Sequence, residues 1–236
     1  MQLFFDNTIS PDHKMHLIAE DESNHILRVL RKNIGDKIEL TNGYGHLFKA
    51  EITGVKSKRC EIHITDFSTE KPLPYSLHLG IAPTKSSDRF EFFLEKATEI
   101  GITEITPLLC KNSERKRLNI HRCEKILKSA MKQSQRLYLP KLNEMMAYDK
   151  FLKSIPEDHQ KYIAHCEDEE KFHLKDKLEM TEKFCVLIGP EGDFNPHEIE
   201  MALTQHFQPI SLGDKRLRTE TAGITVCQTL ALYHKI

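Results

Sequence analysis

The chain has 236 residues, of which 39% are hydrophobic and 29% charged, and its formal net charge is −1 at pH 7. This length is sufficient for one large domain or two ordinary domains with cores of their own. No apolar run approaches the roughly eighteen residues of a membrane span, and the first residues lack the basic flank and long apolar stretch of a signal peptide. We therefore expect a cytoplasmic protein.

The cysteines and histidines are dispersed along the chain. The six cysteines show no Cys-x-x-Cys spacing, which is typical of reduced, mostly buried thiols. The thirteen histidines include no His-Glu-x-x-His or similar ligand spacing. The sequence therefore predicts no metal site.

Residues 1–72 have the pattern of a small β-barrel domain. Alternating runs at 37–40 and 47–52 are joined by the glycine-containing turn 41–45, which is a strong hairpin signal, and a third run follows at 60–65. Before them, residues 22–32 have the spacing of a short helix that directs Arg28, Arg31 and Lys32 outward. Several short strands separated by turns favour a barrel, and a barrel with basic edges suits RNA binding by analogy alone.

The pattern changes at Pro72 and Pro74, which resist regular structure, so we place a second domain at residues 73–236. Predicted strands cover 76–82, 102–109, 161–166 and 184–188. Predicted helices run from about 88 to Gly101 and from about 120 to 137, begin near 196, and run from about 221 to 234. This alternation predicts the α/β class, with a mostly parallel sheet covered on both faces.

Charge is distributed unevenly. Between Lys111 and Lys141 there are ten basic residues against two acidic ones, a local charge of +8, and acidic residues are concentrated elsewhere, as in the run 167–170. A segregated basic face is typical of a protein that binds a polyanion. The alternative is a solvated helix face.

Two apolar runs near the C-terminus each end in a glycine turn. The strand 184–188 leads into Gly189-Pro190-Glu191-Gly192, and the run 209–212 leads into Gly213. If these strands lie side by side, their turns form a crevice at the carboxyl edge of the sheet, where open α/β sheets bind ligands. Arg218 and Glu220 follow at the start of a helix, which favours a binding site over the alternative that Gly-Pro-Glu-Gly is merely a turn.

Phosphate-binding motifs are absent from the sequence. The Gly-x-Gly at Gly43 and Gly45 lies in the hairpin turn, and there is neither a Gly-x-Gly-x-x-Gly nor a Gly-x-x-x-x-Gly-Lys-Ser/Thr. A ligand without phosphate, bound by backbone groups of the glycine turns, fits better.

Five segments, in order, resemble the RsmE family, the SPOUT-class 16S ribosomal RNA uridine N3-methyltransferases. The segments are 24–31, 95–101, 133–136 with Pro140, 187–192 and 212–222. The resemblance implies an N-terminal PUA-like RNA-binding barrel and a C-terminal methyltransferase domain with a deep trefoil knot that holds S-adenosylmethionine. It also implies a homodimer that acts on the small ribosomal subunit. Asp193, Lys215 and Arg216 depart from the family pattern, which leaves the shape of this loop open.

The resemblance also implies site residues. S-adenosylmethionine would contact the two turns and the helix start, at Leu187, Ile188, Gly189, Pro190, Glu191, Gly192, Leu212, Gly213, Leu217, Arg218, Thr219, Thr221 and Ala222. Since N3 of uracil reacts only after losing its proton, a base or a group that stabilises the anion is needed. We expect Arg218 to stabilise the anionic uracil and Glu191 or Glu220 to take the proton. The alternative for Glu220 is a helix-start carboxylate favoured by the macrodipole.

RNA would be positioned by phosphate contacts from basic residues. The candidates are Arg28, Arg31, Lys32, Lys85, Lys111, Arg115, Lys116, Arg117 and Arg136. Two other functions remain open. A SPOUT methyltransferase acting on transfer RNA or on a ribose 2′-oxygen would share the cofactor turns, whereas a non-enzymatic RNA-binding assembly factor would need neither turn.

Overall fold

The computed structural model describes residues 2–167, 171–179 and 182–236. They form two compact units: unit 1 comprises Met1–Pro72 and Lys128–Leu139, and unit 2 comprises Leu73–Leu127 and Pro140–Ile236. Three residues of the predicted acidic run, 168–170, lie outside the described residues. None of the helices in the described ranges is long and apolar enough to cross a membrane.

Unit 1 is built on a five-stranded sheet. Its strands are β1 (Leu3–Phe5), β2 (Met15–Leu17), β3 (Lys37–Thr41), β4 (His46–Lys56) and β5 (Arg59–Thr69), arranged in the order β1-β3-β4-β5-β2. The predicted hairpin is confirmed, because β3 and β4 pair antiparallel and φ is +78° at Gly43 and +89° at Gly45. The predicted third strand is also confirmed, as β5. Sequence patterns missed β1 and β2, because three residues are too few to show an alternation.

The predicted helix at 22–32 is shorter than expected. Helix α1 (Glu20–Asn24) continues as one π-helical turn, His25–Val29, and the chain reverses at Arg31, where φ is +54°. Ile26 is fully buried, whereas Val29 is 67% exposed. Arg28 and Arg31 point outward as predicted, but Lys32 is half-buried. The periodicity therefore identified the buried side of this segment but not its C-terminal end.

The first strands of unit 1 are joined by a buried carboxylate, Asp6, which is 2% exposed. Its Oδ1 accepts from the Thr8 backbone N–H at 3.0 Å and from the Thr8 hydroxyl at 2.6 Å. Its Oδ2 accepts from His16 Nε2 at 3.1 Å and from the Ala19 N–H at 2.8 Å. Burial alone raises the pKa of Asp6, but the four hydrogen bonds from His16, Thr8 and Ala19 lower it to a value well below the ordinary 3.8.

We expect Asp6→Asn to lower the free energy of unfolding at pH 7 by about 2–4 kcal/mol, because an amide cannot accept all four hydrogen bonds. Since the folded-state pKa is depressed, the ionised carboxylate stabilises unit 1 above pH 3.8, and this stabilisation declines as the pH falls below that value. Urea unfolding at pH 7, 5 and 3 measures both effects. The exposed Asp12→Asn is the matched control, and an equal loss in both variants would contradict the prediction.

Unit 2 contains an eight-stranded sheet in which every pair of strands is parallel. Its strands are β6 (Ser76–Ile81), β7 (Glu104–Leu109), β8 (Lys141–Leu142), β9 (Met146–Ala147), β10 (Gln160–Ala164), β11 (Phe172–His173), β12 (Lys183–Ile188) and β13 (Gln208–Ser211). The order is β11-β13-β10-β12-β6-β7-β8, with β9 paired to β7. The four predicted strands and the α/β class are confirmed.

Helices cover both faces of this sheet. The helices that follow β6 are α2 (Ser87–Ile100), α3 (Ile120–Gln133), whose second half belongs to unit 1, α4 (Tyr148–Ser154), α5 (Leu174–Lys177), α6 (Pro196–Thr204) and α7 (Thr219–Tyr233). α2 ends at Gly101, with φ +124°, as predicted, and α6 begins with the predicted capping box at Asn195. A Cβ on Gly223 of α7 would lie 2.7 Å from Phe93 of α2, so glycine permits these helices to pack closely.

Candidate active site

The carboxyl ends of β12 and β13 lie at the same edge of the sheet but are not adjacent. Ala164 of β10 is paired with Ile188 of β12 on one side and with Ile210 of β13 on the other. The prediction that the two strands lie side by side is therefore wrong. Because two strand spacings separate them, the turns that follow are about 10 Å apart across the sheet. The crevice between them includes the end of β10, at His165 and Cys166.

The first turn, at residues 189–192, is tied to the start of α7. The Thr219 hydroxyl donates to the Gly189 carbonyl at 3.0 Å, and this hydrogen bond is buried. A Cβ on Gly189 would lie 3.1 Å from the backbone nitrogen of Phe194, so glycine lets the chain fold back here without a tight contact. The structure thus brings together two segments of the predicted cofactor site that lie thirty residues apart.

The strand residues that precede this turn are core residues. Leu187 is fully buried and packs in a cluster with Phe151 and Phe194, and Ile188 is 2% exposed. Pro190 is buried, whereas Gly192 is exposed, and the Pro190 carbonyl accepts from the Asp193 N–H at 2.9 Å.

Asp193 connects the first turn to the end of β10. It has a left-handed backbone conformation, with φ +62°. One carboxylate oxygen accepts from the Cys166 N–H at 2.7 Å and the other from the Phe194 N–H at 2.8 Å. The Asn112 amide adds hydrogen bonds to the carbonyls of Gly192 and Asp193, at 3.0 and 3.1 Å. Asp193, one of the three residues that depart from the family pattern, thus clamps the first turn to the end of β10.

The Glu191 carboxylate forms a hydrogen bond with the loop between β6 and α2. Its Oε1 accepts from the Lys85 backbone N–H at 2.8 Å. Arg115 supports the same loop, since its guanidinium donates to the carbonyls of Thr84 and Lys85 at 2.9 and 2.5 Å. The Lys85 side chain pairs with Glu114 at 2.7 Å, and this hydrogen bond raises the pKa of Lys85. Three predicted functional residues, Lys85, Arg115 and Glu191, therefore organise the loop between β6 and α2.

The second turn is exposed. Ser211 Oγ donates to the Gly213 carbonyl at 3.0 Å and accepts from the Gly213 N–H at 3.2 Å, and φ at Gly213 is +145°. Leu212 is half-buried, while residues 213–218 are exposed. Nothing lies within 4 Å of the position that a Cβ on Gly213 would take, so this backbone is open to a ligand.

Arg218 and Glu220 flank the first residue of α7 and differ in environment. Arg218 is exposed, and its guanidinium makes no hydrogen bond or ion pair with any described residue. Glu220 is 7% exposed, its Oε1 lies 3.8 Å from Arg89 Nε, and within the described part of the chain its buried Oε2 has no hydrogen-bond partner. An unpartnered buried carboxylate oxygen is costly and invites a donor from a ligand. In the next positions, Thr221 is exposed and Ala222 is buried.

The candidate RNA-binding residues fall into both units. Unit 1 carries Arg28, Arg31, Lys32 and Arg136, and unit 2 carries Lys85, Lys111, Arg115, Lys116 and Arg117. Lys111 is exposed, and its backbone N–H donates to Glu198 at 2.7 Å. Lys116 and Arg117 are exposed and form no ion pair with the residues described, which leaves both side chains available for phosphate. Arg136 is half-buried.

Sequence reasoning missed the part of the site that follows β10. His165 is 8% exposed and Cys166 is the one exposed cysteine of the six. The predicted strand 161–166 ends at these two residues, so the rule that ligands bind at carboxyl ends of strands could have identified both. Among residues 2–167, 171–179 and 182–236, no three His, Cys, Asp or Glu side chains form a group that could hold a metal ion.

Comparison with protein families identifies two matches. Residues 70–231 match the RNA methyltransferase domain, and residues 18–65 match the RNA methyltransferase PUA domain. The first match covers most of the chain and includes the whole of the crevice described above.

Relatives and solved structures extend this likeness over the full length. The chain is 29% identical to the ribosomal RNA small subunit methyltransferase E of Buchnera aphidicola, over 92% of this chain and 89% of the relative. Its sequence is 36% identical to that of a probable rRNA-methyltransferase from Porphyromonas gingivalis. The crystal structure of that protein superimposes with a TM-score of 0.91, over 100% of this chain and 99% of the other. A second solved structure is the ribosomal RNA small subunit methyltransferase E of Neisseria gonorrhoeae bound to S-adenosyl methionine. It is 26% identical in sequence and has a TM-score of 0.88, over 98% of this chain and 97% of the other.

Proposed function

This chain belongs to the RNA methyltransferase family, and from that premise we propose that it transfers a methyl group from S-adenosylmethionine to N3 of a uridine in 16S ribosomal RNA of the small subunit. One observation carries the proposal. The two glycine turns lie at one sheet edge on either side of β10, and the Thr219 hydroxyl at the start of α7 donates a hydrogen bond to the Gly189 carbonyl of the first turn. The names of the relatives and the bound ligand of the Neisseria protein support the substrate and the cofactor.

The residues of this edge fit S-adenosylmethionine. The backbone at Gly213 is open to a flat group. The predicted cofactor residues other than the core residues Leu187 and Ile188 are therefore proposed to line the site through backbone groups and the start of α7.

S-adenosylmethionine supplies a methyl group already activated on a sulfonium, so the protein must position the acceptor and exclude water. We assign Arg218 to the uracil, because its free guanidinium can stabilise the negative charge that develops when N3 loses its proton. Glu220 is the stronger candidate for the proton, since Glu191 already accepts a backbone N–H from Lys85. Glu220 also has an oxygen without a partner.

Mass spectrometry of RNA nucleosides tests the function. Purified protein is incubated with S-adenosylmethionine and, in separate reactions, with small ribosomal subunits and with transfer RNA from a strain that lacks this activity. We expect about one N3-methyluridine per 16S RNA and none in transfer RNA. Ribose 2′-O-methylation or a product in transfer RNA would favour another SPOUT methyltransferase, and binding of the subunit without S-adenosylmethionine binding would favour the assembly factor.

Further parts of the proposal concern assembly and location. We propose that the enzyme is cytoplasmic and works as a homodimer, with the knotted site in the domain 73–236 and RNA recognition by the PUA-like domain 1–72. The family match for the PUA domain at residues 18–65 supports the second assignment. Sedimentation of the purified chain tests the dimer directly.

We expect the double variant Lys116→Ala and Arg117→Ala to weaken RNA binding and to reduce the slope of log affinity against log salt by about one to two units, because each removes one phosphate contact. Filter binding at a series of salt concentrations measures the slope. The matched control is Lys153→Ala with Lys175→Ala, two exposed lysines of α4 and α5. An unchanged slope in the first variant would remove these residues from the RNA-binding face.

A further inference from the structure

A second cavity lies in unit 2, and none of the proposed active-site residues lines it. Its volume is about 690 Å³, and it is formed by residues of β6, β7, β8 and β9 and by the C-terminal end of α4 with the loop that follows. Its floor includes His78, whose ring contacts Phe151 of α4, so the cavity lies on the α4 face of the sheet. The volume is within the range of small-molecule sites.

A network of polar side chains forms one wall of this cavity. Glu104 Oε1 accepts from Lys141 Nζ at 2.8 Å and from the Asn143 amide at 2.7 Å. The same amide nitrogen donates to the Thr106 hydroxyl at 2.8 Å, and His78 Nε2 lies 2.7 Å from that hydroxyl. Burial lowers the pKa of His78 to about 4, so this ring is neutral at pH 7.

The network leaves two acceptor oxygens without partners. Every hydrogen bond of Glu104 goes to Oε1, and within the described ranges neither Glu104 Oε2 nor Asn143 Oδ1 accepts one. The carboxylate fixes the orientation of the amide, because the Asn143 nitrogen must face Glu104 Oε1. The two oxygens are therefore held in place and are available to N–H donors of a ligand.

The rest of the lining combines apolar residues with the polar Ser154 and His159 and with charged residues at the rim. Met145, Met146, Ile155 and Pro156 contribute apolar surface against which a flat ring can pack. Lys150, in α4, is an exposed lining residue that forms no ion pair with the described residues, so its ammonium group is available for a phosphate. Glu144 also lies at the rim. Its carboxylate repels negative charge, so the part of the ligand next to Glu144 must be neutral.

We propose that this cavity binds a nucleotide whose base carries an exocyclic amino group, with the amine on Glu104 Oε2 and Asn143 Oδ1 and the phosphate near Lys150. Cytosine, adenine and guanine offer such amines. Uracil is disfavoured, because its N3–H lies between two carbonyl oxygens that would face the two acceptors. The nucleotide is either an unpaired residue of RNA or a free nucleotide. This site goes beyond the proposed function, in which the reacting base is uracil.

Methyl NMR of the protein labelled with ¹³C at its methionine methyl groups tests the proposal. Seven methionines give few signals, and Met145→Leu and Met146→Leu assign the two in the cavity. The protein is titrated with CMP, AMP, GMP and UMP. We expect both cavity signals to move with at least one amino-bearing nucleotide, and UMP to bind about tenfold or more weakly. Unmoved signals with all four, or equal affinity for UMP, would overturn the proposal.

Two variants separate recognition from folding. Glu104→Gln replaces an acceptor by a donor and is expected to reduce the affinity for the amino-bearing nucleotide about tenfold. Lys150→Ala is expected to reduce the affinity for the monophosphate but not for the nucleoside. Lys153→Ala, on an exposed position of the same helix, is the matched control. Equal effects of the two lysine variants, or a Glu104→Gln variant that binds normally, would contradict the assignment.

A short single-stranded RNA of the preferred base distinguishes the two sources. Binding about tenfold tighter than that of the monophosphate indicates a residue of RNA, and binding no tighter indicates a free nucleotide. Either outcome supports the recognition chemistry. Because S-adenosylmethionine binding and uridine methylation are measured separately, failure of this site is distinguishable from failure of the proposed function.

Discussion

Arg218→Ala is expected to reduce the rate of methyl transfer about 100-fold or more, because the guanidinium stabilises charge that appears on the uracil only during the reaction. S-adenosylmethionine does not gain that charge, so its Kd should change by less than about threefold. Arg218 is exposed and forms no ion pair with the described residues, so its removal leaves the fold intact. Single-turnover kinetics with saturating RNA measures the rate, and calorimetry measures cofactor binding.

The matched control is Arg216→Ala, an exposed arginine two residues earlier in the same loop. Raising the pH should partly rescue Arg218→Ala, because a higher pH deprotonates uracil N3 without help from the protein. A variant with a merely structural defect would show no such rescue. Equal losses in rate and in cofactor affinity would contradict a role in stabilising the anion.

Asp193→Ala is expected to reduce the affinity for S-adenosylmethionine about tenfold or more, because it removes the carboxylate that accepts hydrogen bonds from two backbone N–H groups and leaves alanine in a left-handed conformation. Without the carboxylate, the Cys166 N–H at the end of β10 loses its acceptor, and the crevice between the two turns loses its clamp. The combined loss corresponds to about 3–5 kcal/mol of local stability. Calorimetry and hydrogen exchange at Cys166 measure the two effects.

Two further variants separate the causes. Asp193→Gly relieves the backbone strain but lacks the acceptors, and Asp193→Asn keeps one acceptor oxygen. We therefore expect the affinity to decrease in the order wild type, Asn, Gly, Ala. If Gly binds S-adenosylmethionine as well as Asp does, the clamp has no role in the site, and the left-handed φ of +62° alone explains the choice of residue.

Local signals in the sequence predicted much of the fold. The hairpin between β3 and β4 follows from the glycines of its turn, which adopt positive φ. The limits of α2 and α6 follow from Gly101 and from the capping box at Asn195, since each satisfies backbone groups within a few residues. Short elements such as α4 and β9 were missed, because they are stabilised by contacts with distant residues rather than by their own periodicity.

The sequence by itself determined the α/β class, the family and the two glycine turns, because each depends on residues close together in the chain. Only the tertiary structure decided that β10 lies between β12 and β13, and that Asp193 joins Cys166. It likewise decided that Glu104 and Asn143 share a second cavity. The order of parallel strands is set by the packing of segments that are remote in the chain, so no local pattern records which side chains will meet at the sheet edge.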